Sequence, residues 1–248
     1  MNRLINFFTM QCIIAARSKT ALLWSFLYPF VMLILMLSVF GGMNGDAVAG
    51  DDPRLMTVAG VLVITVMSGG IFAITTVLSA DFQNGVYKRL RVTDLTRFHV
   101  IGGLILRQFM IILLGAFLVC LGANLIFSVP LQGDLLTILL LLALGSVLCC
   151  SIGFIIANVC HRPQTATAVA NGIFLIMLFL SGSTFPKTFF PEWLNIISHS
   201  IPASYLYDLL ESQLFYNERL ADNTHTLFVL LAMCFVSLAL AIKTFKWE

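Results

Sequence analysis

The side chains best suited to chemistry are scattered along this chain rather than gathered. Four histidines, His99, His161, His199 and His225, fall in or beside predicted loops, far apart in sequence. A lone loop imidazole is usually just solvated. Six cysteines, Cys12, Cys120, Cys149, Cys150, Cys160 and Cys234, form no CxxC pair, and most lie inside apolar runs. There a thiol packs as a small hydrophobe. The sequence contains no GxxxxGK[ST] phosphate loop, no HExxH and no Ser/His/Asp constellation. No catalytic residue, metal ligand or cofactor is assigned to this chain, and any ATP and Mg chemistry is expected on another one.

Three other patterns suit contact rather than catalysis. The first is "NGVYKRLRVTD", Asn84–Asp94. Asn84 and Gly85 break a helix. A short helix near Val86–Val92 then carries Val86, Leu90 and Tyr87 on one face, with Lys88, Arg89 and Arg91 adding charge. Thr93 and Asp94 suit the N-cap of a following helix. Val86 and Leu90 are one turn apart and suit joint insertion into a cleft on a cytoplasmic partner. The plainer alternative is a solvated loop that fixes topology and touches anionic lipid heads.

The second pattern is "PKTFFPEWLNIISHSIPASYLYDLLESQLF", which starts at Pro186. Pro186, Pro191 and Pro202 forbid one continuous helix. Pro191 begins a short helix with an apolar face of Trp193, Leu194, Ile196 and Ile197. Pro202 begins another through Tyr205, Leu206, Leu209 and Leu210. Tryptophan and tyrosine favour the membrane–water boundary. The segment is expected to dip into the outer leaflet as a re-entrant helical hairpin, against the alternative of a plain outer loop. The third pattern is Gly145, Cys149, Gly153 and Ala157, small residues every fourth position that let a helix approach closely. Its partner could be in the same chain or a second copy.

The elements that must position these segments are membrane spans. The chain has 248 residues, 59% hydrophobic and 10% charged, against about 25% charged in soluble domains. A span needs about 20 apolar residues. Six candidates emerge: Ala21–Phe40, Thr57–Leu78, Arg107–Phe127, Leu135–Val159, Thr165–Phe185 and Thr226–Lys243. None has an ionisable residue at its centre, which argues against a proton relay. The fold expected is an all-α polytopic membrane protein, one transmembrane domain over 1–248. Within it, 1–19 forms an amphipathic interfacial helix, 79–106 the longest inner loop, and 186–222 the outer hairpin and loop. In 1–19, Leu4, Phe7, Phe8, Cys12 and Ile13 recur near helical spacing, while Arg3, Asn6, Gln11 and Arg17 take other positions.

Six spans put both termini on one side. On that side lie Arg3, Arg17, Lys19, Lys88, Arg89, Arg91, Arg97, Arg107, Arg162, Lys243 and Lys246; the other holds Arg54, Lys187 and Arg219. Eleven against three makes both termini cytoplasmic by the positive-inside rule. The expected location is the plasma (bacterial inner) membrane, among lipid, with no role for nucleic acid.

This order of elements resembles the type-2 permease family of ATP-binding-cassette exporters. The local match is Asn171–Leu210: a span ending in Ser181-Gly182, then Phe185-Pro186, Pro191-x-Trp193-Leu194, and Pro202 with Tyr205 nearby. The inner loop departs from the family pattern, with Asp94 where proline is common. The resemblance implies a second permease subunit, identical or not, and two cytoplasmic ATP-binding subunits. It implies that Asn84–Asp94 docks an ATPase and that Phe185, Pro186, Pro191, Trp193, Pro202 and Tyr205 form an outer gate. The cargo expected is a hydrophobic or amphipathic compound (drug, antibiotic, peptide or lipid) moved outward. A polysaccharide or teichoic-acid exporter shares the resemblance. A non-transporting scaffold would use the same inner loop, and ATP-coupled movement across a vesicle membrane separates it from an exporter. A membrane enzyme is disfavoured by the scattered acids, bases and thiols.

Overall fold

The computed structural model describes residues 2–40, 53–90, 96–127, 129, 133–160, 162–185, 187, 190–216 and 223–245. Arg91, Thr93, Asp94, Pro186 and residues 217–222 lie outside them. Among the described residues the chain is helical and without strands. An N-terminal helix, α1 (Asn2–Arg17), precedes the first long helix, α2 (Lys19–Phe40). The second long helix is composite. α3 (Pro53–Met67) passes through a π-helical segment (Ser68–Ala73) into α4 (Ile74–Gln83). A short α5 (Val86–Leu90) leads to α6 (Arg97–Phe127), α7 (Leu135–Val159) and α8 (Pro163–Leu180). Two short helices, α9 (Glu192–Ser198) and α10 (Pro202–Glu211), precede α11 (Thr224–Thr244).

Six of these helices are long and apolar enough to cross a membrane: Leu22–Val39, Arg54–Gln83, Arg97–Phe127, Leu135–Val159, Pro163–Leu180 and Thr224–Thr244. The chain is an all-α polytopic membrane protein. The boundaries differ from the sequence reading where helix breakers are absent or present. No proline lies between Arg97 and Arg107, and Gly102-Gly103 is carried inside the helix, so α6 starts at Arg97. α4 likewise runs on to Gln83, and the inner segment 79–106 is mostly helix. Conversely, α8 stops at Leu180, because Gly182 takes φ +87° and a left-handed backbone ends a helix.

The composite span is the hub. Two-thirds of its apolar window is buried, against 17% for α2 and for α11. Val58, Ala59, Val61–Ile64, Val66 and Met67 are fully enclosed. It lies against α2, α6, α7 and α10, while α11 packs mainly on α7. Lipid offers no hydrophobic drive for such packing, so close fit decides it. The small-residue row on α7 finds its partner in this span. A Cβ on Gly153 would sit 2.7 Å from the Gly70 carbonyl oxygen, and one on Gly70 would sit 2.3 Å from Cys149 Cβ. Thr75 Oγ1 donates to the Gly153 carbonyl at 3.1 Å. At the far end of the row, Gly145 faces Leu206 of α10 and Val66. Ala157 is buried beside Phe154 at the other end of the bundle. The row therefore packs within one chain.

Candidate functional site

Glycines in an otherwise apolar run create the central feature. Ser68-Gly69-Gly70 forms the wide turn of the composite span, and π turns recur at functional positions. This turn helps wall a cavity of about 580 Å³ between α2, α3, α6 and α8. Trp24, Tyr28, Phe72, Ile112, Phe174 and Leu175 give it an apolar lining. Thr65, Ser68, Thr76, Gln108 and Asn171 add neutral polar groups. Among the described residues, no charged side chain lines it. Its volume falls within the range of drug-sized ligand pockets. Trp24, 62% exposed, stands at its open side. The sequence reading missed the cavity, although Ser-Gly-Gly inside a span was a signal for irregular backbone.

A second arrangement occupies one end of the bundle, where α1, α4, α5, α6 and the end of α11 meet. Asn84 and Gly85 form the expected break. Gly85 has φ +68° with nothing within 4 Å of a would-be Cβ. Tyr87, expected on the docking face, instead turns inward and is 1% exposed. Its ring lies 4.8 Å from that of Phe82 and 5.8 Å, edge-on, from that of Phe245. Tyr87 Oη donates to Asp81 Oδ2 at 3.3 Å. Burial first, and the Asp81 carboxylate second, push the Tyr87 phenol well above its ordinary pKa, so it stays a donor. Val86 and Leu90 are half-buried, and Leu90 packs against this same cluster. Lys88, Arg89 and Asn84 are exposed.

Arg107 belongs here as well. Counted among the inner-side charges, it is 5% exposed. Its Nη1 donates to Gln11 Oε1 at 3.3 Å and its Nη2 to Gln108 Oε1 at 3.5 Å. Gln11, assigned to the polar face of α1, therefore faces the bundle. Phe7 beside it fills the space over Gly103. Ile13, expected on the lipid-facing apolar side of α1, is half exposed. His99 sits in the first turn of α6, bonded to Thr96.

The proline-rich hairpin is at the opposite end. Its turn from α8 is knitted by hydroxyls: Ser183 Oγ donates to the Leu178 carbonyl at 3.2 Å, as does Thr184 Oγ1 at 3.1 Å. Gly60 on α3 makes room for the Ser183 carbonyl, which would lie 2.1 Å from a Cβ there. Pro191 caps α9 and Pro202 opens α10, as their fixed φ favours. Tyr205 Oη donates to the His199 carbonyl at 2.7 Å, and Ser204 Oγ to the Ser181 carbonyl at 3.3 Å. Lys187 pairs with Asp208 and lies 5.9 Å from the centre of the Tyr207 ring. Burial, then Glu211, raises the Tyr207 phenol. α10 buries Leu206, Tyr207, Leu209 and Leu210 against the bundle, while α9 leaves Trp193 (62%) and Ile196 exposed. Phe185 is exposed and stacks on Phe179.

The sequence profile of the ABC-2 type transporter family matches residues 5–215. The chain belongs to that family. Among curated relatives of this ABC-2 type transporter is the probable multidrug ABC transporter permease YbhS of Escherichia coli K12. It is 26% identical over 152 residues, which is 60% of this chain and 40% of the relative. The same protein from E. coli O157:H7 matches equally. The aligned stretch thus spans well under half of the curated relatives' own length. As an ABC-2 transporter the chain is a multi-pass membrane permease whose family works with ATP-binding subunits.

Proposed function

We infer that this chain is the permease subunit of an ABC exporter that moves a hydrophobic or amphipathic compound outward. The observation that carries the reading is the uncharged cavity beside the π turn. Its lining suits neutral or amphipathic cargo, and a polyanion such as teichoic acid would meet no cation there. The curated relative, named as a probable multidrug permease, supports a drug-like cargo. ATP is bound and hydrolysed on two separate cytoplasmic subunits. A second permease subunit completes the pathway, and both termini face the cytoplasm.

In this reading α5 and its exposed Lys88 and Arg89 receive the ATPase. Tyr87 and Phe245 root that helix in the bundle, so a push on it reaches α4 and the composite span. The hairpin closes the outer end, held on the same α3 and α8 that wall the cavity farther along. The test is reconstitution of the permease with its candidate ATPase in lipid vesicles. ATP-dependent accumulation of a lipophilic dye is the expected result. Dye movement indifferent to ATP, with both subunits bound, would leave a scaffold.

A further inference from the structure

The polar groups of the cavity wall differ in what they have left to donate. Most of its hydroxyls already donate to their own helix: Thr65 Oγ1 to the Val61 carbonyl, Ser68 Oγ to the Thr65 carbonyl, Thr76 Oγ1 to the Phe72 carbonyl. They present lone pairs. Gln108 is different. It is 1% exposed, deep in the wall, and its Nε2 lies 3.0 Å from the Cβ position of Gly69. Its Oε1 accepts from Arg107 at 3.5 Å. A guanidinium has donors only. The amide oxygen must turn toward Arg107, and the NH2 group must turn away from it, to the Gly69 side that lines the cavity. Arg107 is held in turn by Gln11.

We propose that Gln108 is the deep hydrogen-bond donor for cargo, so that the cavity selects uncharged, drug-sized molecules carrying a carbonyl or ether oxygen, and that Arg107 is the positioning residue that fixes the amide. The proposal deepens the exporter reading and rests on it. Cargo presenting only donors has the hydroxyl lone pairs to bond to and gains nothing from the amide NH2. Cargo with neither gains nothing from Gln108. A carboxylate would bring an unbalanced charge into an apolar site.

Two matched probes test this: 1-acetylpyrene, with a carbonyl acceptor, and 1-ethylpyrene, nearly the same shape without one. Binding to the purified full-length permease in lipid nanodiscs is read as energy transfer from tryptophan to pyrene. Loss of transfer in Trp24→Phe places the probe in the cavity. The wild type should bind 1-acetylpyrene about tenfold more tightly, the worth of one hydrogen bond in an apolar site. Gln108→Leu should erase that preference and leave 1-ethylpyrene affinity unchanged. Arg107→Met should narrow it, again without moving 1-ethylpyrene; a purely structural Arg107 would weaken both probes together. Arg107→Lys, which keeps the charge but withdraws the fork, serves if the Met variant fails to fold. Equal affinities in the wild type, or a preference that survives Gln108→Leu, overturn the proposal. ATP-dependent dye accumulation is measured on the same preparations. Equal probe affinities with intact ATP-driven accumulation sink this proposal alone; an intact preference without ATP-driven accumulation sinks the exporter reading alone.

Discussion

Tyr87 and Arg89 are two residues apart and face opposite ways, one into the aromatic cluster with Phe82 and Phe245, one into solvent. Their variants should separate accordingly. Tyr87→Ala removes a buried ring at a cost of about 3 kcal/mol, read as a lower melting temperature in detergent. Tyr87→Phe loses only the long bond to Asp81, about 0.5 kcal/mol. Lys88→Ala with Arg89→Ala should leave melting unchanged and slow capture of the ATPase subunit, increasingly so at low salt. Unaltered association kinetics at low salt would remove these two residues from the docking surface. Leu90→Asp is less clean, since Leu90 also packs on its own cluster. At this scale the sequence was only half legible. Asn84, Gly85 and the short helix could be read from breakers and spacing. Gln11 and Arg107 could not, because they hydrogen-bond each other across 96 positions of chain, and composition reports a polar residue as a surface one.

Among the elements, the prolines were readable because Pro191 and Pro202 act locally, through their own φ. The row on α7 was readable as a contact but not as to its partner, which lies some 80 residues upstream in a turn that has no periodic signature. Its tightness gives a direct comparison. Gly153→Ala places a methyl 2.7 Å from the Gly70 carbonyl oxygen and should reduce the folded yield. Gly172→Ala on α8, with nothing within 4 Å, should be neutral. Monodisperse recovery by size exclusion reads both. The hairpin divides in the same manner. Tyr205→Phe removes a 2.7 Å bond to the His199 carbonyl, about 1 kcal/mol, and should lower thermal stability. Trp193→Ala touches an exposed ring and should leave stability alone but impair export, if α9 works as a gate. Normal export at normal abundance would reduce α9 to a resting loop helix.

For the molecule as a whole, α1 and the end of α11 converge on one cluster, consistent with the even number of spans counted from hydropathy. Which membrane face that end occupies is a prediction from the basic residues. In a background with the six native cysteines replaced, Ser200→Cys, exposed at the hairpin, should react with an impermeant thiol reagent added to intact cells, and Lys19→Cys should not. The reverse pattern would invert the topology. The π turn at Ser68–Ala73 has a consequence of another kind. A wide turn holds one residue more than the α-helix on either side. That surplus is an insertion, absorbed without rotating the downstream helix; α4, the glycine elbow and α5 keep the azimuth an uninterrupted helix would give them. Removing one residue from the turn should therefore be milder than adding one outside it. Deletion of Ser68 should let the span close into a regular helix, with α4 and the ATPase attachment still in phase and the cavity wall gone. Adding an alanine after Ala80, where no slack exists, should swing α5 by about 100° and abolish co-purification with the ATPase.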